Sequence, residues 1–204
     1  MFDRQTIADL VAAAHEHELE PASLLTIAEV ESGGRALFDV NGRKEPAIRF
    51  EGHYFDRRLS GAQRDHARKT GLAAPVAGKV VNPASQALRW QLLERAMAVS
   101  RKAALESTSW GLGQVMGAHW QWLGYRSVDE LVAEARGSIA GQVRLMLRFI
   151  VKAGLIGTLK QRDWRGFATR YNGPAFARNR YDIKMAEAHA RWSARLAARQ
   201  QAVA

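Results

Sequence analysis

The stretch Leu24–Gly34, LLTIAEVESGG, constrains the fold more tightly than any other part of the chain. Leu24, Ile27, Ala28 and Glu31 recur at i, i+3, i+4 and i+7, which places them on one stripe of a helix. Three are apolar and the fourth is a carboxylic acid; Glu29 points to the opposite side. Gly33 and Gly34 stop the helix, because glycine accepts the left-handed conformation of a C-terminal cap. The pattern therefore puts Glu31 at the end of a buried stripe, where the chain opens into a loop. A carboxyl there is partly desolvated and keeps its proton to higher pH than a free one. A general acid needs that property. A helix-end glutamate facing water fits the same pattern.

The rest of the chain reads as mostly helical. Asp3 caps a first helix with Ile7, Leu10, Val11 and Ala14 on one face, running to about Glu18. Leu37–Val40, then Asn41-Gly42, then Ala47–Glu51 reads as a small hairpin, with Asn-Gly or a slightly longer loop at its bend. Residues 57–82 lack a sustained period and read as a surface excursion of turns and short helix. Asn82-Pro83 signals a helix start, and the helix runs to about Leu105. Ser138–Ala153 is apolar nearly all round, its charges confined to Arg144, Arg148 and Lys152. That pattern predicts the central buried helix. No linker or repeat divides the chain, so residues 1–204 are expected to form one domain, with a basic helical segment over about 176–204.

Charge narrows the partners. Thirty basic residues against twenty acidic give a net charge of +10, and the 45 residues from Lys160 onward carry +7 of it. Such a surface suits a polyanion: nucleic acid, an anionic membrane or an acidic cell wall. With no cysteine and no His-Glu-x-x-His pair, disulfide, thiolate and metalloprotease chemistry drop out, and neither metal nor cofactor is expected. The first ten residues, MFDRQTIADL, hold no apolar run of signal-peptide length. The expectation is a chain made in the host cytoplasm without a signal peptide, acting on the cell wall after release.

Three motifs stand in order: Glu31-Ser32, Gly111-Leu112-Gly113-Gln114-Val115-Met116, and Arg170-Tyr171-Asn172-Gly173. Together they resemble the lysozyme-like superfamily, and more closely the N-acetylmuramidase domain of endolysins from phages and prophages of Gram-negative bacteria. That domain follows Val-Glu-Ser with a strand like Ile48–Phe55, a Gly-x-x-Gln-x-Met-Gly turn and Tyr-Asn-Gly-Pro. The resemblance implies a mainly α, α+β lysozyme-like fold, a helical domain around a central buried helix with one small β-hairpin. It also implies a muramidase cleaving the β-1,4 bond between N-acetylmuramic acid and N-acetylglucosamine of peptidoglycan, with Glu31 as general acid. Glu51, at the end of a hairpin strand, is the candidate second carboxylate, to activate water or stabilise an oxocarbenium-like transition state. Ser32, His53, Gln114, Tyr171, Asn172 and Trp110 are the candidate substrate-binding residues, Gln114 at the start of a helix.

Peptidoglycan strands are the expected partner of a monomer. The basic C-terminal helix suits an anionic or outer-membrane lipid, and nucleic acid is not expected. A lytic transglycosylase would use the same acid on the same bond. A basic helical protein that binds nucleic acid or cell wall without catalysis is the alternative that charge alone suggests.

Overall fold

A computed structural model describes residues 2–174 and 176–201, without the side chain of Gln200. Residues 202–204 of the basic segment lie outside these. In chain order the elements are α1 (Arg4–Glu16), α2 (Pro21–Ser32), β1 (Leu37–Val40), β2 (Arg43–Pro46), β3 (Ile48–Phe50), α3 (Gly52–Arg58) and α4 (Gly61–Lys69). There follow α5 (Gln86–Val99), α6 (Arg101–Glu106), β4 (Thr108–Trp110), β5 (Val115–Met116), α7 (Val128–Gly137), α8 (Ile139–Lys152), α9 (Ile156–Lys160), α10 (Trp164–Tyr171) and α11 (Tyr181–Gln201). The chain forms two compact units, Met1–Arg35 with Met146–Ala204, and Ala36–Leu145. Helix α8 begins in the second and ends in the first. Among the described residues no helix is long and apolar enough to cross a membrane.

The first unit is built on α2. Residues 22–28 are buried without interruption, polar Ser23 and Thr26 included, and Thr26 satisfies its hydroxyl on the Ala22 carbonyl at 2.7 Å. A helix apolar all round needs cover on every side. Helices α1 and α11 pack against it. Helix α1 contributes Ile7, Leu10 and Ala14 and is capped by Asp3, whose Oδ1 accepts from the Thr6 amide at 2.7 Å. Helix α11 contributes Met185, Ala188 and Trp192, at i, i+3 and i+7. Helix α8 buries residues 141–143, 145–147 and 150 and exposes Val151 with the charged line Arg144, Arg148 and Lys152 that the sequence predicts. The centre of this unit is α2.

In the second unit, Asn41 (φ +50°) and Gly42 (φ +76°) make the two-residue turn between β1 and β2, with Leu37 opposite Pro46. The expected return strand is displaced. Ile48–Phe50 leaves the hairpin and pairs with β4, Ile48 opposite Trp110, and β4 pairs with β5. Asn82 does not cap a helix. Its Oδ1 accepts from the Phe50 amide at 3.0 Å and its Nδ2 donates to the Phe50 carbonyl at 2.7 Å, so it completes the free edge of β3 as a strand would. Helix α5 starts later, capped by Ser85, and gives way to α6 at Ser100, where the backbone is extended. The surface excursion read over residues 57–82 contains all of α4 and the end of α3, the short helix expected there.

Candidate active site

Glu31 sits in the last turn of α2. Gly33, with φ +69°, ends the helix in the left-handed region, as the glycine pair predicts. Ser32 donates its hydroxyl to the Ala28 carbonyl at 2.6 Å and accepts from the Gly34 amide at 3.2 Å. The hydroxyl's donor and one of its two acceptor lone pairs are thus used in closing the helix beside Glu31.

Asn172, just past the end of α10, donates from Nδ2 to Glu31 Oε1 at 2.7 Å. The residue Glu31 as a whole is half-buried, but its carboxyl end is closely surrounded. Burial pushes its pKa from 4.5 up to about 7, and the Asn172 bond, which favours the anion, opposes that rise without cancelling it. Tyr171 precedes Asn172, stacked on Phe167 at 5.0 Å between ring centroids and edge-on to Phe149 at 5.1 Å. Burial first, and the charge of Glu31 second, raise the Tyr171 pKa well above that of a free phenol. Tyr171 is therefore an uncharged neighbour of Glu31. Two Phe residues that no motif singled out thus hold the Tyr-Asn pair. Their positions on α8 and α10 were visible only as core spacing. Glu29, two residues before the acid, pairs instead with Arg191 on α11 at 2.6 Å.

The second group of expected site residues lies in the other unit. Glu51 precedes α3, its backbone carbonyl accepting from the Tyr54 and Phe55 amides at 3.0 Å. Its carboxylate accepts from Arg49 Nε at 2.6 Å and stands 3.5 Å from His53 Nδ1. The His53 ring lies against Tyr54 at 4.3 Å. Of the other hairpin acids, Glu45 is buried in an ion pair with Arg136, and Asp39 pairs with Lys44 on the surface.

Two expectations in this unit need correction. Gln114 does not begin a helix. It occupies a turn at φ +46° just before β5, and its side-chain amide donates to the Gly111 carbonyl at 2.9 Å and the Ala47 carbonyl at 3.3 Å. The free amides of a helix start are not there to hold a sugar. Trp110 has no accessible surface: its indole donates to the Leu105 carbonyl and packs edge-on against Trp90. An indole so placed cannot stack on a sugar ring.

Glu31, Ser32, Tyr171 and Asn172 thus form one cluster around a desolvated acid, while Glu51 and His53 form another around an ion-paired carboxylate. A family model for N-acetylmuramidase matches residues 20–193. Among solved structures the chain is similar to the Burkholderia AP3 phage endolysin, with a TM-score of 0.76 and 36% identity over 92% of this chain and 71% of that one. No curated protein matches the chain. The motifs that stood in order along the sequence, the matched span and the shared fold together mean that the chain belongs to the N-acetylmuramidase family, as a peptidoglycan-degrading glycosidase of the lysozyme type.

Proposed function

We propose that the protein hydrolyses the β-1,4 bond between N-acetylmuramic acid and N-acetylglucosamine, with Glu31 as general acid. The observation that carries this reading is the desolvated Glu31 carboxyl, with a pKa of about 7, held by Asn172. A solvated glutamate is almost wholly ionised at neutral pH and has no proton to give. At a pKa near 7 about half of the molecules hold one there. Glu31 transfers that proton to the bridging oxygen as the bond to C1 of the muramic acid breaks. The N-acetylglucosamine leaves with a free 4-hydroxyl, and water adds to C1.

Glu51 is the second carboxylate in this reading, removing a proton from the attacking water or stabilising positive charge at C1. Its contact with Arg49 at 2.6 Å holds the carboxylate in place. The test is Glu31→Gln beside Glu51→Gln on purified peptidoglycan, followed by turbidity, with mass spectrometry of the wild-type products. A folded Glu31→Gln protein at full activity overturns the acid assignment. Muramic acid ends in the anhydro form, one water lighter, turn hydrolysis into transglycosylation. The anomer first released separates an inverting from a retaining route.

A further inference from the structure

At the other end of α2 from Glu31, roughly 15 Å along the helix axis, an open groove of about 870 Å³ runs between α1, the first turn of α2 and the last turns of α11. That volume is of the size that takes a small ligand. Ile7 and Ala22 are buried in its lining, and Val11, Pro21 and Leu196 are half-buried there. Leu196 lies four residues beyond Trp192, on the face of α11 that docks on α2. The apolar stripe of α11 therefore continues past the packed core and lines an open slot instead.

The polar groups of this lining are mostly cationic. Arg4 and Arg199 are exposed there, and among the described residues neither pairs with an acid. The acid of the lining, Glu20, is already engaged by His189 (2.9 Å), Arg162 (3.1 Å) and Ser23 (3.3 Å). Ser193 also lines the groove, its hydroxyl turned away from the open space and buried. An apolar slot rimmed by two uncompensated guanidinium groups complements an anionic amphiphile. The helix that supplies Arg199 also belongs to the segment carrying +7 of the net charge.

We propose that the α1–α2–α11 groove takes one acyl chain of an anionic phospholipid, with Arg4 and Arg199 holding its phosphate. Such binding anchors the protein to a membrane surface without inserting a helix across it. It does not depend on which residues cut the glycan.

The experiment is cosedimentation with vesicles. The wild-type protein binds vesicles of phosphatidylglycerol and phosphatidylcholine, and hardly binds phosphatidylcholine alone. Removing both charges in Arg4→Gln/Arg199→Gln weakens binding about thirtyfold. Ala8→Trp, and independently Ala197→Trp, fill the groove from exposed positions without changing charge and weaken binding roughly tenfold. Two such variants, each checked by thermal melting, guard against one that fails to fold. Glycerol phosphate, which has the charge but no chain, does not compete.

The proposal is overturned by wild-type protein that ignores phosphatidylglycerol, by folded Trp variants that bind as tightly as wild type, or by displacement with glycerol phosphate. A concentration-dependent dimer that the Trp variants abolish also overturns it, since a second copy then fills the groove. All variants hydrolyse purified, lipid-free peptidoglycan at the wild-type rate. A loss there means that the groove serves the glycan, which overturns the proposal while leaving the hydrolase reading intact.

Discussion

Glu31 and Glu51 are carboxylates of the same chemical kind, twenty residues apart, in opposite circumstances. Glu31 ends a helix buried over residues 22–28, and its partner among the described residues is the neutral amide of Asn172. Glu51 ends a strand and is met by a guanidinium at 2.6 Å. Burial without a counter-charge favours the protonated form, whereas an ion pair favours the anion. In the proposed reading Glu31 is the group that keeps a proton near neutral pH.

The largest test of the contrast is Glu31→Gln, which keeps the shape and the Asn172 bond but removes the proton. Turnover of purified peptidoglycan falls between a hundredfold and ten-thousandfold, on the order of what general acid catalysis contributes. The same residue leaves a mark on stability. The folded state binds the Glu31 proton more tightly than the unfolded state does, so stability is highest below pH 4.5 and falls as pH rises to about 7. That loss is on the order of 3 kcal/mol. In thermal melts, Glu31→Gln therefore gains on wild type between pH 4 and pH 8; an unchanging difference means that the carboxyl is not desolvated.

Glu51→Gln has a smaller effect on turnover, about a hundredfold if it handles the water proton. Arg49→Gln is its control. If the pair is only a surface contact, both variants change stability by less than about 1 kcal/mol and leave the rate alone, and the contrast between the carboxylates loses its catalytic meaning. The smallest effect is that of Asn172→Ala. Its amide favours the Glu31 anion, so removing it raises the Glu31 pKa further. The fall in activity with rising pH, centred near 7 in wild type, moves to higher pH. A shift to lower pH contradicts the hydrogen-bond assignment.

What was legible in the sequence was local. The Glu31 helix with its glycine stop, the Asp3 cap and the Asn-Gly turn each depend on residues within one or two turns, and each stands as read. The partner of β3 was not legible, because Ile48 and Trp110 are 62 positions apart and no local pattern fixes that register. Helix α4 buries only Ala67, so it carries no apolar period to detect. Asn82-Pro83 has the chemistry of a cap, but its amide went to the backbone of β3, a demand that only the tertiary fold creates. At the candidate site, the order of the motifs suggested that Tyr171 and Asn172 belong with Glu31. The direction of the Asn172 bond depends on packing between residues 141 positions apart, and the Phe149–Tyr171 contact on the docking of α8 against α10.

The discontinuity of the first unit has a consequence in time. Helix α2 leaves the ribosome long before α10 and α11, the elements that bond its acid and cover its flank. At ordinary synthesis rates the interval is on the order of ten seconds. Throughout it, Glu31 belongs to an uncovered segment and behaves as a solvated carboxylate. The nascent chain thus carries the proposed acid without its retained proton until α10 and α11 pack on α2.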